Sequence, residues 1–186
     1  MLKRPQNLGV IHFIGIGGIG MSGIAEILFQ SGYQVQGSDL SISNNTIRLE
    51  KLGIKIYIGQ KKSNIINAKI VVVSTAISEI NKEYVAAKKM FLPIVHRSEM
   101  LGELMRLKQS IAIAGTHGKT TTTSLIAKMI EENGMDPTII NGGIISSLNS
   151  NAKLGNGEWM IVEADESDGS FAKLNPTVAI ITNIDL

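Results

Sequence analysis

The 186-residue sequence contains no cysteine. That excludes disulfides and thiolate metal sites, and it suits a reducing cytoplasm. Aromatic residues make up only 4% of the chain, so Ile, Val, Leu and Met have to fill the core that a 44% apolar fraction permits. An excess of one charge is also missing: 18 Lys and Arg stand against 16 Asp and Glu, a net of +2. A nucleic-acid binder usually carries a strongly basic footprint, which this is not. No stretch reaches the roughly 18 consecutive apolar residues that a membrane helix needs. The run Val10 to Ile19, behind Lys3 and Arg4, is broken by glycines at 15, 17 and 18 and lacks a small-residue cleavage pattern, so it does not read as a signal peptide. Neither an internal repeat nor a low-complexity tract is evident. The expectation is a soluble cytoplasmic protein of one large or two small domains, with no nucleic acid partner and no membrane insertion.

What is present is an alternation of short β-rich apolar runs with longer helical patterns. Strands are expected at Gly9 to Ile14, Tyr33 to Ser38, Ile54 to Ile58, Lys69 to Ser74 and Ile94 to His96. Helices are expected at Ile19 to Ser31, with Met21, Ile24, Ile27 and Leu28 on one face, at Asn44 to Leu52, and at Asn81 to Met90. Gly32 and Gly53 stand where helices commonly end. A second unit starts near Lys108, with strand Ser110 to Ala114 and helix Lys119 to Asn133, in which Leu125, Ile126, Met129 and Ile130 are expected to be buried. Pro137 to Asn141, Trp159 to Ala164 and Thr177 to Thr182 are further strand candidates, and the polar stretch Ser146 to Lys153 reads as loop. Strand–helix–strand repetition predicts an α/β protein with a parallel sheet covered by helices.

Two glycine turns stand out. Gly15-Ile16-Gly17-Gly18-Ile19-Gly20 contains Gly-x-Gly-x-x-Gly after a predicted strand and at the start of a helix. Glycines let the backbone approach a diphosphate, and the helix start directs N–H groups and partial positive charge at it. Asp39 ends the second strand, where an acid can hold ribose hydroxyls. A tight turn without a ligand is the bland alternative, and the loop alone does not choose between NAD and another diphosphate. Gly115-Thr116-His117-Gly118-Lys119-Thr120 is the stronger signal. Lys119 can reach β- and γ-phosphates and the Thr120 hydroxyl can bind Mg²⁺. Ile113 stands where the usual phosphate-loop pattern has its first glycine. The run Thr120 to Thr123 is a poor helix start by propensity, but its hydroxyls can cap N–H groups or touch phosphate.

Glu163-Ala164-Asp165-Glu166-Ser167-Asp168 places four carboxylates in six residues at a strand end. A solvated acidic turn is one reading. A hard cation is the other, with Glu163 as first choice of ligand because it sits at the strand end. Of the histidines, His12 reads as a packed strand residue, His96 stays open with Arg97 beside it as a candidate anion contact, and His117 lies inside the phosphate loop.

Together these residues resemble the Mur ligases, which build the peptide of the bacterial cell-wall precursor. GTHGKTTT at 115–122 is similar to that family's ATP loop, and EADESD at 163–168 to its metal-ligand strand end. IHFIGIGGIGMSGIAE at 11–26, with Gly-Ser-Asp at 37–39, Val-Ser-Thr-Ala-Ile at 73–77 and Asn-Gly-Gly at 141–143, is most similar to the branch that adds L-alanine to UDP-N-acetylmuramate. A branch that recycles murein tripeptide ranks second, and an NAD-dependent oxidoreductase or a non-catalytic nucleotide-binding module are readings of other classes.

The resemblance implies a Rossmann-like UDP-sugar-binding domain over residues 1–107, followed by the first part of a P-loop α/β ATP-binding domain over 108–186. It implies UDP-sugar contacts from Gly15, Gly17, Gly18, Ile19, Gly20, Met21, Ser22, Asp39, Ser74, Thr75, Ala76, Arg97 and Asn141. It implies ATP contacts from Gly115, Thr116, His117, Gly118, Lys119, Thr120 and Thr121. Lys119 and His117 would act in catalysis, and Thr120 and Glu163 would hold Mg²⁺. In the family the muramate carboxylate attacks the γ-phosphate of ATP and L-alanine then displaces phosphate from the acyl phosphate. Family members are much longer, and this chain reaches Thr182-Asn183-Ile184-Asp185-Leu186 before the family's metal-binding histidine, adenine pocket and L-alanine contacts. The expectation is an N-terminal part that does not form the amide bond by itself and exposes apolar sheet surface prone to aggregation.

Overall fold

A computed structural model describes residues 8–145, 150–164 and 174–185. The chain forms two compact units, Met1–Arg97 and Ser98–Leu186.

The first unit runs β1 (Val10–Ile14), α1 (Ile19–Gln30), β2 (Gln34–Asp39), α2 (Asn44–Lys51), β3 (Lys55–Ile58), a 3₁₀ turn at Lys62–Ile65, β4 (Ala68–Val73), α3 (Lys82–Lys89) and β5 (Ile94–His96). Its five strands are all parallel, in the order β3-β2-β1-β4-β5. The order reverses direction between β1 and β4, where doubly wound sheets open a crevice beyond the strand ends. α1 buries Met21, Ile24, Ile27 and Leu28, the face its 3.6-residue spacing predicts. It stops at Gly32, whose φ of +91° lets Gly32 N–H bond to Phe29 O and Tyr33 N–H to Leu28 O. α2 starts at Ser43, whose hydroxyl accepts from Thr46 N–H while the Thr46 hydroxyl accepts from Ser43 N–H.

α4 (Arg97–Met105) begins at the last residue of the first unit, and the second unit continues with β6 (Gln109–Ala114), α5 (Lys119–Glu132), β7 (Thr138–Ile145), β8 (Ser150–Lys153), β9 (Trp159–Glu163) and β10 (Val178–Ile181). The sheet order is β10-β6-β9-β7-β8, parallel except for the β7–β8 pair. Ile111, Ile113, Ala127, Ile139 and Ile161 form its core, with Ile126, Ile130, Trp159 and Ile180 packed against them. Among the described residues no helix is long and apolar enough to cross a membrane.

Four features depart from the expectations. α4 lies where none was expected, although Met100, Leu101, Leu104 and Met105 give it a buried face. In α5 the buried residues are Thr123 and Ala127, while Leu125 and Met129 are 61% and 65% exposed. Each residue turns a helix by about 100°, so two positions beyond Thr123 and Ala127 the side chain points the other way. Ser150–Lys153, expected as loop, pairs with β7 despite its polar side chains, because an antiparallel partner strand supplies the backbone bonds. β7 itself continues to Ile145, four residues past the expected end at Asn141.

β8 is tied to α5 by one lysine. Lys153 Nζ lies 2.5 Å from Glu131 Oε1 and 3.1 Å from Asp136 Oδ1. Asp136 Oδ2 accepts from Asn156 N–H at 2.9 Å. The Asn156 N–H first, and then Lys153, hold the Asp136 carboxyl below the ordinary carboxylate range. A folded-state value below the unfolded one stabilises the protein above about pH 4 and is lost as pH falls through the lower folded value. Asp136 is 43% exposed, so solvent screens the effect to a few tenths up to about 1 kcal/mol. Asp136→Asn is therefore expected to unfold a few degrees below wild type at pH 7 and to match it near pH 2. A difference independent of pH would refute the linkage.

Candidate functional site

The first glycine turn leaves the C-terminal end of β1 and is hung on β2. Gly15 N–H and Ile16 N–H both donate to Ser38 O, at 2.8 and 2.9 Å. β2 can approach this closely because residue 37 is glycine: a Cβ there would sit 2.6 Å from the Ile16 side chain and 2.8 Å from the Phe13 carbonyl oxygen. Met21 N–H and Ser22 N–H turn back to Gly18 O and start α1, with Met21 and Ser22 buried beneath the turn. Asp39 Oδ2 accepts from Gly17 N–H at 2.8 Å, and Asn45 Nδ2 donates to Gly17 O at 2.8 Å. A Cβ on Gly20 would lie 2.9 Å from Arg97 Nη1, so the guanidinium stands over the first turn of α1. Ser74, Thr75 and Ala76 follow β4 in a turn closed by Ile77 N–H to Ser74 O, and a Cβ on Gly15 would lie 3.3 Å from Ile77 Cδ1.

Gly15, Gly17, Gly18, Ile19, Gly20, Met21, Ser22, Asp39, Ser74, Thr75, Ala76 and Arg97 thus all follow or end strands of the first sheet at their C-terminal ends, around its switch point. The N–H groups of Gly15, Ile16, Gly17, Gly18, Met21 and Ser22 are all bonded within the protein, so the features there that suit an anion are the positive end of α1 and the Arg97 guanidinium, and Asp39 suits hydroxyl donors. Asn141 belongs to the second unit. Asn45 was not anticipated; its signal is a carboxamide at the start of the helix directly after Asp39.

The second glycine turn links β6 to α5. Gly118 is the residue before the helix, at φ +78°, a conformation that favours glycine. Lys119 Nζ folds back onto Gly115 O at 2.6 Å and Thr116 O at 3.4 Å. The threonine run does not cap the helix with a side chain. Instead the Thr120 hydroxyl donates to Glu163 Oε2 at 2.9 Å, bringing the two expected cation ligands together from α5 and β9. Thr121 is exposed on the same turn. The 182–185 segment, which carries no expected role, braces the loop. Thr182 Oγ1 and Asn183 Nδ2 donate to His117 O at 2.6 and 3.0 Å, His117 N–H donates to Asn183 Oδ1 at 3.0 Å, and the His117 ring meets Asp185 Oδ2 at 3.3 Å. Its signal is a run of polar residues directly after a strand.

Glu163 is also held from β7: Gly142 N–H donates to Glu163 Oε2 at 2.8 Å and to Asn141 Oδ1 at 3.0 Å. Asn141 Nδ2 donates to Ser124 Oγ at 3.1 Å, and Ser124 Oγ donates to Thr120 O at 2.9 Å. Thr120, Ser124, Asn141, Gly142 and Glu163 therefore close a ring of hydrogen bonds. Among the described residues no three His, Asp or Glu side chains converge on one point. One carboxylate and one hydroxyl nevertheless fit Mg²⁺, which takes oxygen ligands at octahedral positions and fills most of them with water and phosphate. Asp165, Glu166, Ser167 and Asp168 lie outside the described residues.

Comparison with known proteins agrees with this two-part layout. The Mur ligase family catalytic domain matches residues 10–109 and the Mur ligase middle domain matches residues 113–186. Proteins named UDP-N-acetylmuramate–L-alanine ligase from Parvibaculum lavamentivorans and Rhodospirillum rubrum are each 60% identical over 185 residues, 100% of this chain and 38% of their own length. The chain thus spans about two fifths of these curated relatives. The crystal structure of UDP-N-acetylmuramate-alanine ligase from Thermotoga maritima superposes with a TM-score of 0.89 at 36% identity, covering 95% of this chain and 41% of that one. The UDP-N-acetylmuramate:L-alanyl-gamma-D-glutamyl-meso-diaminopimelate ligase of Neisseria meningitides follows at 0.88 and 28% identity, covering 96% of this chain and 61% of that one. On the two domain matches, which together cover nearly all of its length, the chain belongs to the Mur ligase family.

Proposed function

We propose that this chain carries the nucleotide-sugar and ATP-binding parts of a ligase that joins L-alanine to the carboxylate of UDP-N-acetylmuramate. The observation that carries the reading is the pairing of a Gly-Lys-Thr turn with Glu163: Thr120, in the first turn of α5 next to Lys119, meets Glu163, at the end of β9, at 2.9 Å. The 60% identity to proteins named for that reaction selects this branch over the tripeptide ligase, whose solved example is 28% identical. The functional division lies near Lys108, with residues 1–107 taking the UDP-sugar and 108–186 the ATP; the two family matches, which meet between 109 and 113, support this.

In this reading Gly15, Gly17, Gly18, Ile19 and Gly20 cradle the diphosphate, with Met21 and Ser22 fixing the start of α1. Arg97 adds positive charge, Asp39 accepts from the ribose, and Ser74, Thr75 and Ala76 form the opposite wall. Gly115, Thr116, Gly118 and Thr121 surround the triphosphate, and Lys119 leaves its carbonyl partners to bind the β- and γ-phosphates. A carboxylate approaching ATP meets like charge, roughly 4 kcal/mol for two unit charges 4 Å apart at an effective dielectric near 20. Lys119 offsets that repulsion where charge moves in the transition state. Thr120 and Glu163 would hold Mg²⁺, which would supply the same kind of charge stabilisation on the phosphate oxygens. His117, fixed by Asp185, adds a polar edge to the turn. Asn141, with both amide ends engaged in the ring around Glu163, serves the sugar-nucleotide reaction through that ring.

The fluorescence of NADH and the heat of UDP-N-acetylmuramate binding separate this reading from an oxidoreductase. UDP-N-acetylmuramate is expected to bind the chain saturably and NADH to leave no signal. Saturable NADH binding without UDP-sugar binding would reverse the assignment of the first turn.

A further inference from the structure

Gly142 has no backbone reason to be glycine. It lies within β7 and is absent from the positive-φ glycines, which include Gly115, Gly118 and Gly134. What constrains it is space. A Cβ at residue 142 would sit 2.5 Å from Glu163 Oε1, 2.6 Å from Cδ and 2.9 Å from Oε2, so the carboxylate occupies the volume a side chain would need. The neighbouring Gly143 is similarly close to Thr120, with a would-be Cβ 3.1 Å from Cγ2. The Gly142 N–H points at Glu163 Oε2, the same oxygen that accepts from the Thr120 hydroxyl. The other end of that amide's bonding, Asn141 Oδ1, is anchored through Ser124 to the first turn of α5.

We propose that Gly142 is a positioning residue for the cation site: its amide fixes one carboxylate oxygen and its missing side chain leaves room for the carboxylate to lie against β7, facing Thr120. The inference rests on the reading that Thr120 and Glu163 hold the divalent cation, and it adds that their alignment is set from β7. A partner that orients a metal ligand without touching the metal commonly changes metal affinity by about 10–100-fold when it is lost. The atoms a methyl group would displace are the far end of a flexible glutamate, so Gly142→Ala is expected to fold and to move the ligand instead of the strand. The Asn141 amide sets the direction of the Gly142 N–H, and the closed ring makes the arrangement self-consistent in the absence of a cation.

The test measures Mn²⁺ binding by electron paramagnetic resonance in the presence of a non-hydrolysable ATP analogue, and analogue binding in EDTA, for wild type, Gly142→Ala and Glu163→Gln. Gly142→Ala is expected to weaken Mn²⁺ binding about 10–100-fold, as Glu163→Gln does, with metal-free analogue affinity and thermal midpoint within error of wild type. If Glu163→Gln weakens Mn²⁺ binding and Gly142→Ala does not, the positioning role is wrong and the cation site stands. If Gly142→Ala weakens the metal-free analogue as strongly as Mn²⁺, the glycine serves nucleotide approach and the proposal fails. If wild type takes up no Mn²⁺, or Glu163→Gln binds it like wild type, the cation site and the positioning role both fall. A Gly142→Ala variant that does not fold overturns the claim that only the glutamate has to move.

Discussion

Replacement of Lys119 by alanine is expected to weaken ATP binding by at least two orders of magnitude while leaving the fold intact. The ammonium sits on the carbonyls of Gly115 and Thr116 and is the only charged group of the Gly115–Thr121 turn besides the potential charge of His117. Moving onto two phosphates replaces neutral acceptors by anionic ones. Hydrogen bonds to charged groups contribute about 1.5–3 kcal/mol each, and about 3 kcal/mol is a hundredfold in affinity. Lys119 is not a member of the second unit's hydrophobic core, so the unfolding midpoint should move by less than about 0.5 kcal/mol equivalent. Calorimetric titration with MgATP reads the affinity directly. An unchanged affinity would remove ATP from the second turn and with it the ligase reading of this unit.

A second large effect is expected behind the first glycine turn, at Glu83. Its side chain is fully buried beneath the first sheet, as is that of His12. Oε2 accepts from the Ser38 hydroxyl at 2.5 Å and from His12 Nε2 at 3.3 Å, and Oε1 accepts from Asn64 Nδ2 at 2.6 Å. Gln36 Nε2 donates to Asn64 O and to His12 Nδ1. His12 Nδ1 is therefore an acceptor, and the hydrogen bonds assign the ring proton to Nε2, aimed at Glu83. Three donors thus converge on the buried carboxyl group and satisfy both of its oxygens. Glu83→Ala removes the acceptor shared by three buried donors, at about 1–3 kcal/mol each before relaxation, with Asn64 Nδ2 keeping its bond to Gly59 O. A net loss of about 3–5 kcal/mol follows, with Glu83→Gln losing less because one acceptor oxygen remains. Urea unfolding would show a lower midpoint at unchanged slope. Because Ser38 carries the first glycine turn on its carbonyl, UDP-sugar binding should weaken in step. A Glu83→Ala protein within about 0.5 kcal/mol of wild type would show that the network is not coupled to stability.

Much of the fold was legible because local signals and tertiary demands coincide. In the first unit β1, β4 and β5 are rich in Val and Ile, α1 and α2 end at glycines that adopt positive φ, Gly32 and Gly53, while α3 ends at Phe91 with a φ of +53°, and α1 buries the face its spacing marks. Both glycine turns could be placed because glycine, strand and helix occur in the order a phosphate cradle requires. Legibility fails where a residue's reason is nonlocal. Gly142 and Gly143 read as the end of a strand, yet β7 runs through them, and their smallness answers to Glu163 and Thr120 across the sheet. Leu125 and Met129 read as core by periodicity, but the sheet meets the Thr123–Ala127 face, a choice that only packing makes. The helix at Arg97–Met105 was masked by Gly102 in its middle and by its shortness, although its four apolar residues recur at helical spacing. The roles of Thr182, Asn183 and Asp185 depend on β10 lying next to β6, a pairing across 67 residues that no local pattern announces.

The most direct measurement is a pair of calorimetric titrations of the 186-residue chain, UDP-N-acetylmuramate into protein saturated with MgATP and MgATP into protein saturated with the sugar nucleotide. Two separate cradles predict one equivalent of each ligand bound in the presence of the other. Exclusion of either ligand by the other, or a single site that accepts both, would contradict the division of phosphate binding between the two turns.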